Sequence, residues 1–461
     1  MSIRLSETSS NGLMPEHFTG EVILPGDRDY ESARRVWNGM IDRKPRAVLR
    51  ARTAGDIEPA VTMAARHGLP LAIRGGGHSV AGHGTVDGGV VLDLGALTAV
   101  EVDARRRTVR VQPGATIADV DRATQAYGLA VPLGVVSGTG VAGLTLGGGI
   151  GWLTRRHGLT IDNLVAADLV TASGETVRAS ETENPELFWG IRGGGGNFGV
   201  ISSFTYRAHR LGPEVLTGTL VYRQAGWEAA LAAYQAWTRG LPDALCSIVS
   251  FLVPPAGWDL GDEPLMLLAF AWTSAHQGEG RRVLGRLTRK APPDAEDIGP
   301  ARWTAWQSSV DDLFPRGVRA YWKNASLDRI DGAVSDILIR RAAEQRWRGT
   351  GLDIHHMGGA FASVPQDATP FPHRGARYWL NIYGYWADPA DDPARAAFIR
   401  GVAADIAPYA TGGRYVNFMA AEDADGPGPV YGPGAGARLA ALKRHYDPAN
   451  LFRVNHNIPA R

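Results

Sequence analysis

The chain has 461 residues, too many for one simple core, so two domains are the natural expectation. Its 48 lysines and arginines balance 47 acidic residues to a formal charge of +1, which gives no general electrostatic reason to bind nucleic acid or an anionic membrane. The single cysteine, Cys246, excludes an intrachain disulfide and a cysteine-based zinc site. The N-terminal MSIRLSETSSNGLMPEHF lacks the apolar core of a leader, and no segment approaches 18 apolar residues, so the chain reads as a soluble cytoplasmic protein.

From Arg46 the pattern mixes α and β. AGDIEPAVTMAARHG puts Ile57, Val61, Ala64 and Ala65 on one helical face, with Gly68 as a stop. LPLAIR reads as a short strand that delivers a glycine run, and GGVVLDL as another strand. TAVEVDARRRTVRVQPG alternates as a hairpin, TIADVDRATQAYG is a helix capped by Thr116, and NLVAADLVTASGETVRAS is a second hairpin turning at Ser173-Gly174. After Leu211 the texture becomes aromatic. A helix carries Trp227, Leu231, Tyr234 and Trp237, and the strand candidates CSIVSFLV, LMLLAFAW, VRAYWKN and RYWLNIYGYW follow. Strands separated by helices predict an α+β domain on an antiparallel sheet. KAPPDAEDIGP and EDADGPGPVYGPGAGA read as mobile loops, and RLAALKRHYDPANLF as a helix stopped before Pro448.

Three glycine clusters carry the chemistry: RGGGHS (Arg74–Ser79), GTGVAGLTLGGGIGWL (138–153) and RGGGGNFGV (192–200). Consecutive glycines cost backbone entropy and are kept where a ligand approaches closely or where N–H groups form an anion-binding concavity. His78 and His83 have no cysteine or carboxylate at metal-ligand spacing, so no metal is expected. Gly194, Gly196 and Gly199 form a formal G-x-G-x-x-G, but the following VISSFTYR reads as a strand where the dinucleotide fingerprint needs a helix.

Taken together, IRGGGHS, LGGGIGWLTRRHGLTIDNL, NPELFWGIRGGGGNFGVI, YVNF and YDPANLFRVNHNIP resemble the vanillyl-alcohol-oxidase flavoproteins, and within them the bacterial berberine-bridge-enzyme-like branch. RRVWNGMIDRKP and the glycine clusters are similar to those of polyketide-tailoring oxygenases such as that of the enterocin pathway. The resemblance implies an α+β fold with a two-subdomain PCMH-type FAD-binding domain over 1–214 (core about 44–214). It further implies an antiparallel-sheet substrate domain flanked by helices over 215–415, and a berberine-bridge-like segment over 416–461 that returns to the FAD domain. It implies that Arg74, Gly75, Gly76, Gly77 and Ser79 lie against the FAD pyrophosphate and that His78 bonds covalently to the flavin. Many relatives attach the flavin a second time through a cysteine; Val136 stands in that position, so FAD is expected to be bound through His78 only.

Further cofactor contacts implied in this way are His83, Gly138, Thr139, Gly140, Gly143, Leu144, Gly148, Gly149 and Trp152, then Gly199, Val200, Ile201 and Asn455. Asp162 and Asn163 match an xDN element near the cofactor, with a turn as the alternative; for Leu144 and Trp152 the alternative is core packing. Tyr415 and Asn417 match a Y-x-N element beside the flavin, the tyrosine as catalytic base and the asparagine on the same strand face. If GLDIHHMGGA is a strand, Asp353, His355 and Met357 share a face, with Asp353 assisting Tyr415 and His355 a further catalytic candidate. Trp379, Asn381, Tyr383 and Tyr385 alternate onto one aromatic face. The expected protein is an FAD-dependent oxidase of a small organic alcohol, phenol or polyketide-like compound, with molecular oxygen as acceptor. The alternatives are a flavin oxygenase and a non-catalytic flavin-bearing drug-binding protein. No nucleic-acid or membrane partner is expected, and the chain reads as a monomer or homodimer.

Overall fold

The structure, a computed structural model, describes residues 14–423 and 426–460. The N-terminal stretch read as lacking a leader lies largely outside the described residues. Among the described residues no helix is long and apolar enough to cross a membrane.

Three sheets position the site. In the first, Val90–Asp93 runs parallel to both Ala47–Arg50 and Leu71–Arg74, with Glu21–Ile23 antiparallel at the edge. Val90, Val91 and Leu92 are completely buried, the continuous apolar run of a parallel strand covered on both faces. Helix Ile57–Arg66 packs there through Ile57, Ala60, Val61 and Ala64, whereas Ala65 is exposed: the face runs i, i+3, i+4, i+7.

The second sheet joins the two expected hairpins, Val100–Asp103 with Thr108–Val111 and Leu164–Val170 with Thr176–Ser180, through the central strand Val200–Arg207. The strand after the third glycine cluster therefore stands where the sequence puts it, and helix Ile117–Gln125 is capped by Thr116.

The third sheet is seven-stranded and antiparallel, in the order Ala295–Arg302, Glu214–Tyr222, Leu265–Trp272, Leu245–Leu252, Thr350–His356, Tyr378–Trp386, Arg319–Leu327. Side chains alternate across it. Val249, Phe251, Leu268, Leu352, Ile354, Leu380 and Ile382 face helices Trp227–Thr238, Gln277–Lys290, Ala333–Ala343 and Asp392–Ile406. The opposite face looks back at the glycine clusters. Two expectations change here. KAPPDAEDIGP is not all loop, because Ala295–Arg302 is an edge strand of this sheet. The proline-glycine tract before the C-terminus contains helix Pro427–Tyr431 and the start of helix Pro433–Tyr446.

That last helix returns to the first half of the chain. Leu439 and Leu442 share a core with Leu187, Phe188 and Phe198. Lys443, fully buried, donates to Asp447 at 2.7 Å and to the carbonyls of Asn197 and Phe452 at 2.9 and 2.8 Å. Asp447 in turn accepts the N–H groups of Leu451 and Phe452 at 2.7 and 2.8 Å. A buried charge pair with every remaining valence engaged pins YDPANLF against the third glycine cluster.

Candidate active site

A cleft of about 2160 Å³, open mouth included, runs between the three glycine clusters and the free face of the seven-stranded sheet. Its floor begins where Leu71–Arg74 ends. Arg74 pairs at 2.8 Å with Asp93, its cross-strand neighbour, so the glycine run leaves the sheet from a fixed point. A Cβ on Gly76 would stand 2.5 Å from Gly140 Cα, and one on Gly140 2.5 Å from Gly76 N. Only glycine lets these two loops touch. Gly143 and Gly196 differ, since a Cβ there would meet nothing within 4 Å and would project into open space along the cleft.

His78 lies on the cleft wall, stacked on the buried indole of Trp37 with centroids 4.4 Å apart and planes 16° from parallel. Burial pushes its imidazole down to about 4, so it is neutral at physiological pH. Arg316, from the sheet side, donates to the Gly76 carbonyl at 3.1 Å. Val136 lines the same cleft, while Cys246 is buried elsewhere.

Tyr415 is 1 % exposed yet lines the cleft. Its hydroxyl accepts the Gly149 N–H at 2.9 Å and the Asn417 amide at 2.9 Å. Asn417 also donates to the Leu144 carbonyl at 3.0 Å, and a Cβ on Gly147 would stand 2.2 Å from its side-chain oxygen. Gly147 is thus the gap through which Asn417 reaches the tyrosine. Asn324 holds the Tyr415 backbone from both sides, accepting its N–H at 2.9 Å and donating to its carbonyl at 3.2 Å. Burial pushes the phenol up to about 12, against the two N–H donors, which favour the phenolate. Val416–Phe418 is a 3₁₀ turn, so Asn417 reaches Tyr415 across a turn and not along a strand face.

On the sheet face, Thr350–His356 is a strand, and Asp353 and His355 point into the cleft as its alternation requires. Asp353 accepts the Tyr383 hydroxyl at 3.2 Å. Burial pushes this carboxyl up to about 7, against hydrogen bonds from Ser250 and Tyr383. The hydrogen-bond partner of Asp353 is therefore Tyr383, its neighbour on the adjacent strand, and not Tyr415. His355 is pushed down to about 4 by burial and packs on Phe418 at 5.8 Å. Asn381 and Tyr383 line the cleft, whereas Trp379 packs behind on Tyr415 and Tyr385 in the ring cluster with Trp37 and Trp322. His356 points the other way, toward Arg155.

Of the remaining sequence candidates, Gly75, Gly77, Ser79, His83, Thr139, Leu144, Trp152, Gly199, Val200, Ile201 and Asn455 line the cleft. Gly138, Gly148, Gly149, Asp162 and Asn163 do not. Asp162 makes a two-point ion pair with Arg374 at 2.7 and 2.8 Å and accepts the Leu159 N–H. Asn163 donates to the His157 and Leu159 carbonyls and meets His209 at 2.6 Å. Both build the wall behind the cleft, the turn alternative of the xDN element. Phe314, Trp322 and His456 line the cleft, and Trp37 and Arg316 support it through the His78 ring and the Gly76 carbonyl; the sequence reading assigned none of the five. Trp37 was signalled by RRVWNGMIDRKP; Arg316, in LFPRGV, carried no pattern.

The cleft suits a large group with polar atoms of its own. The buried Nε1 of Trp152, Nε2 of His83, Oδ1 of Asn455 and Nδ1 of His456 have no partner among the described residues, and all four residues line it. Glycines with open space above them supply close backbone approach. These features fit an FAD.

Comparison with known proteins agrees. The FAD binding domain family matches residues 45–180, and the berberine and berberine-like family matches 414–459. The FAD-linked oxidoreductase pgmH of Aspergillus terreus is 31% identical, covering 93% of this chain and 92% of its own. (R)-6-hydroxynicotine oxidase of Paenarthrobacter nicotinovorans is 29% identical over 98% of this chain and 99% of its own. The crystal structure of 6-hydroxy-D-nicotine oxidase from Arthrobacter nicotinovorans superposes with a TM-score of 0.87 at 26% identity, covering 99% of this chain and all of that one.

Proposed function

The chain belongs to the FAD-linked oxidoreductases and carries their FAD-binding and berberine-like segments, and from that premise we propose that it oxidises a small aromatic alcohol, phenol or polyketide-like compound, with molecular oxygen as final acceptor. The glycine loops at 75–77, 139–140, 143 and 196 would hold the FAD, and His78 would hold it through one covalent bond at an imidazole nitrogen. A neutral imidazole has the free lone pair such a bond needs, and Val136 offers no second attachment point. When bound, the flavin supplies a two-electron acceptor beside the substrate.

The protein's own part is to orient the substrate and move its proton. The observation that carries the reading is the Tyr415 hydroxyl, which accepts two N–H bonds at the wall common to the glycine loops and the aromatic sheet face. Those donors offset part of the burial that keeps the phenol neutral, and Oη serves as acceptor for the substrate hydroxyl proton once its pKa is lowered further beside the bound flavin. Asp353 and Tyr383, on the sheet face, hold a polar group of the substrate in a lining that includes the rings of Trp322 and Phe314. The aromatic lining favours a flat, largely apolar substrate.

Tyr415→Phe keeps the ring and removes only the proton acceptor. Its flavin content is expected to match wild type while anaerobic flavin reduction by a true substrate slows by about 10²-fold or more. Reduction at the wild-type rate with the wild-type pH dependence would overturn the assignment.

A further inference from the structure

A second cavity, about 1970 Å³ with its open mouth, shares no lining residue with the catalytic cleft. Arg105, Arg107, Arg156 and Arg210 converge on it, and Glu214 is the only acid in its lining. Among the described residues none of these four guanidiniums is ion-paired with a carboxylate. Acids near them in sequence are engaged elsewhere, Asp103 with Arg106 at 3.8 Å, Asp162 with Arg374 at 2.7 Å and Asp168 with Arg110 and Arg178 at 3.2 and 2.8 Å. We propose that this crevice binds a small phosphate-bearing polyanion.

The backbone frame of the cavity is fixed before any ligand arrives, and of the four guanidiniums that of Arg156 is anchored as well. The Arg107 carbonyl accepts the Ala208 N–H at 2.8 Å, and the Gly128 carbonyl accepts the Leu211 N–H at 3.0 Å. Arg210 pairs with Leu129 in a two-stranded ladder. On the opposite wall Thr273 N–H donates to the Ala244 carbonyl at 2.8 Å, and the Arg156 guanidinium reaches over to the Thr273 carbonyl. Four positive groups around one concavity repel each other, and Glu214 is the single acid in the lining to offset them. A ligand with two or more negative charges does. Guanidinium forks match phosphate oxygens in pairs, which a point charge cannot do. Tyr127, 57 % exposed at the rim, adds an open ring face on which a planar group attached to the phosphates would stack. The walls come from both halves of the chain, residues 104–129 with 210 on one side and the end of strand Leu265–Trp272 on the other, so the ligand also bridges them.

The test is calorimetric titration of the FAD-loaded protein with sodium pyrophosphate at low ionic strength, FAD occupying the catalytic cleft throughout. Saturable binding at one per chain is expected, at least tenfold weaker in Arg107→Gln/Arg210→Gln and several-fold tighter in Glu214→Gln, with the flavin spectrum unchanged. Pyrophosphate should raise the melting temperature of wild type and not that of the double variant. ADP binding more tightly than pyrophosphate, with the difference lost in Tyr127→Ala, would assign a nucleotide; equal binding would assign the phosphates alone. Either supports the site. No saturable binding, or unchanged affinity in the double variant, overturns it. Should the double variant misfold, Glu214→Gln decides, since failure to tighten also overturns the proposal.

Discussion

Trp37 lies face to face with His78, and the enclosure that stacks the two rings is what keeps the imidazole uncharged. A protonated ring has no lone pair to give, so the neutral state is the precondition for a single covalent tether. Acid-precipitated wild-type protein is expected to stay yellow, whereas His78→Ala should release all its flavin on the same treatment. A flavin-bearing peptide that maps away from residue 78 would refute the single attachment. That Tyr415, Asn417, Asp353 and His78 line one cleft was legible because each belongs to a short contiguous motif. Asp162 was misread for the opposite reason. Its partner Arg374 lies 212 residues away, and no local pattern announces an ion pair of that span. The same holds for Asp353 and Tyr383, 30 residues apart on neighbouring strands, whose contact depends on sheet register.

The glycine loops illustrate which element-level constraints are strict and which are permissive. At Gly76 a methyl group would collide with backbone at 2.5 Å, which cannot move aside as a side chain does, while at Gly138 nothing lies within 4 Å. Gly76→Ala is therefore expected to cost about 1–3 kcal/mol in stability and to lower flavin content. Gly138→Ala should leave both near wild type, as read by thermal melts and the flavin-to-protein absorbance ratio. Equal behaviour of the two variants would show that loop contact is not what demands glycine here. Most elements followed from periodicity, because buried strands and one-sided helices carry their pattern in the sequence. Ala295–Arg302 did not, since an edge strand has neither a buried face nor a ban on proline; Pro300 sits opposite Leu216 without breaking the sheet. Its existence is decided by the partner strand Glu214–Tyr222 and not by its own residues.

Across the whole molecule, burial holds many ionisable groups in their neutral form, and the two kinds respond to pH in opposite senses. His83, His157, His209, His355, His356 and His456 are all pushed below the ordinary value of 6.5. Between their folded values and 6.5 the unfolded chain binds more protons. Their stabilising contribution is therefore complete above about 6.5 and is lost as pH falls through their lowered folded values. Asp121 and Asp353 are pushed up from 3.8 to about 7. Here the folded chain binds more protons, so stability is fullest below about 4 and declines as pH rises through 7. Asp121 isolates the second effect, because it lies outside the catalytic cleft and has one hydrogen bond, from Trp303 Nε1 at 2.9 Å, with its other oxygen unpartnered. Asp121→Asn keeps that acceptor and removes the titration. It is expected to leave stability near wild type at pH 4 and to raise it at pH 8 by roughly 2–4 kcal/mol, the value of a shift of about three pH units. Denaturant melts of both proteins at the two pH values measure the difference. A gain of the same size at pH 4 and pH 8 would mean that the carboxyl is not held neutral by burial and that the variant merely packs better.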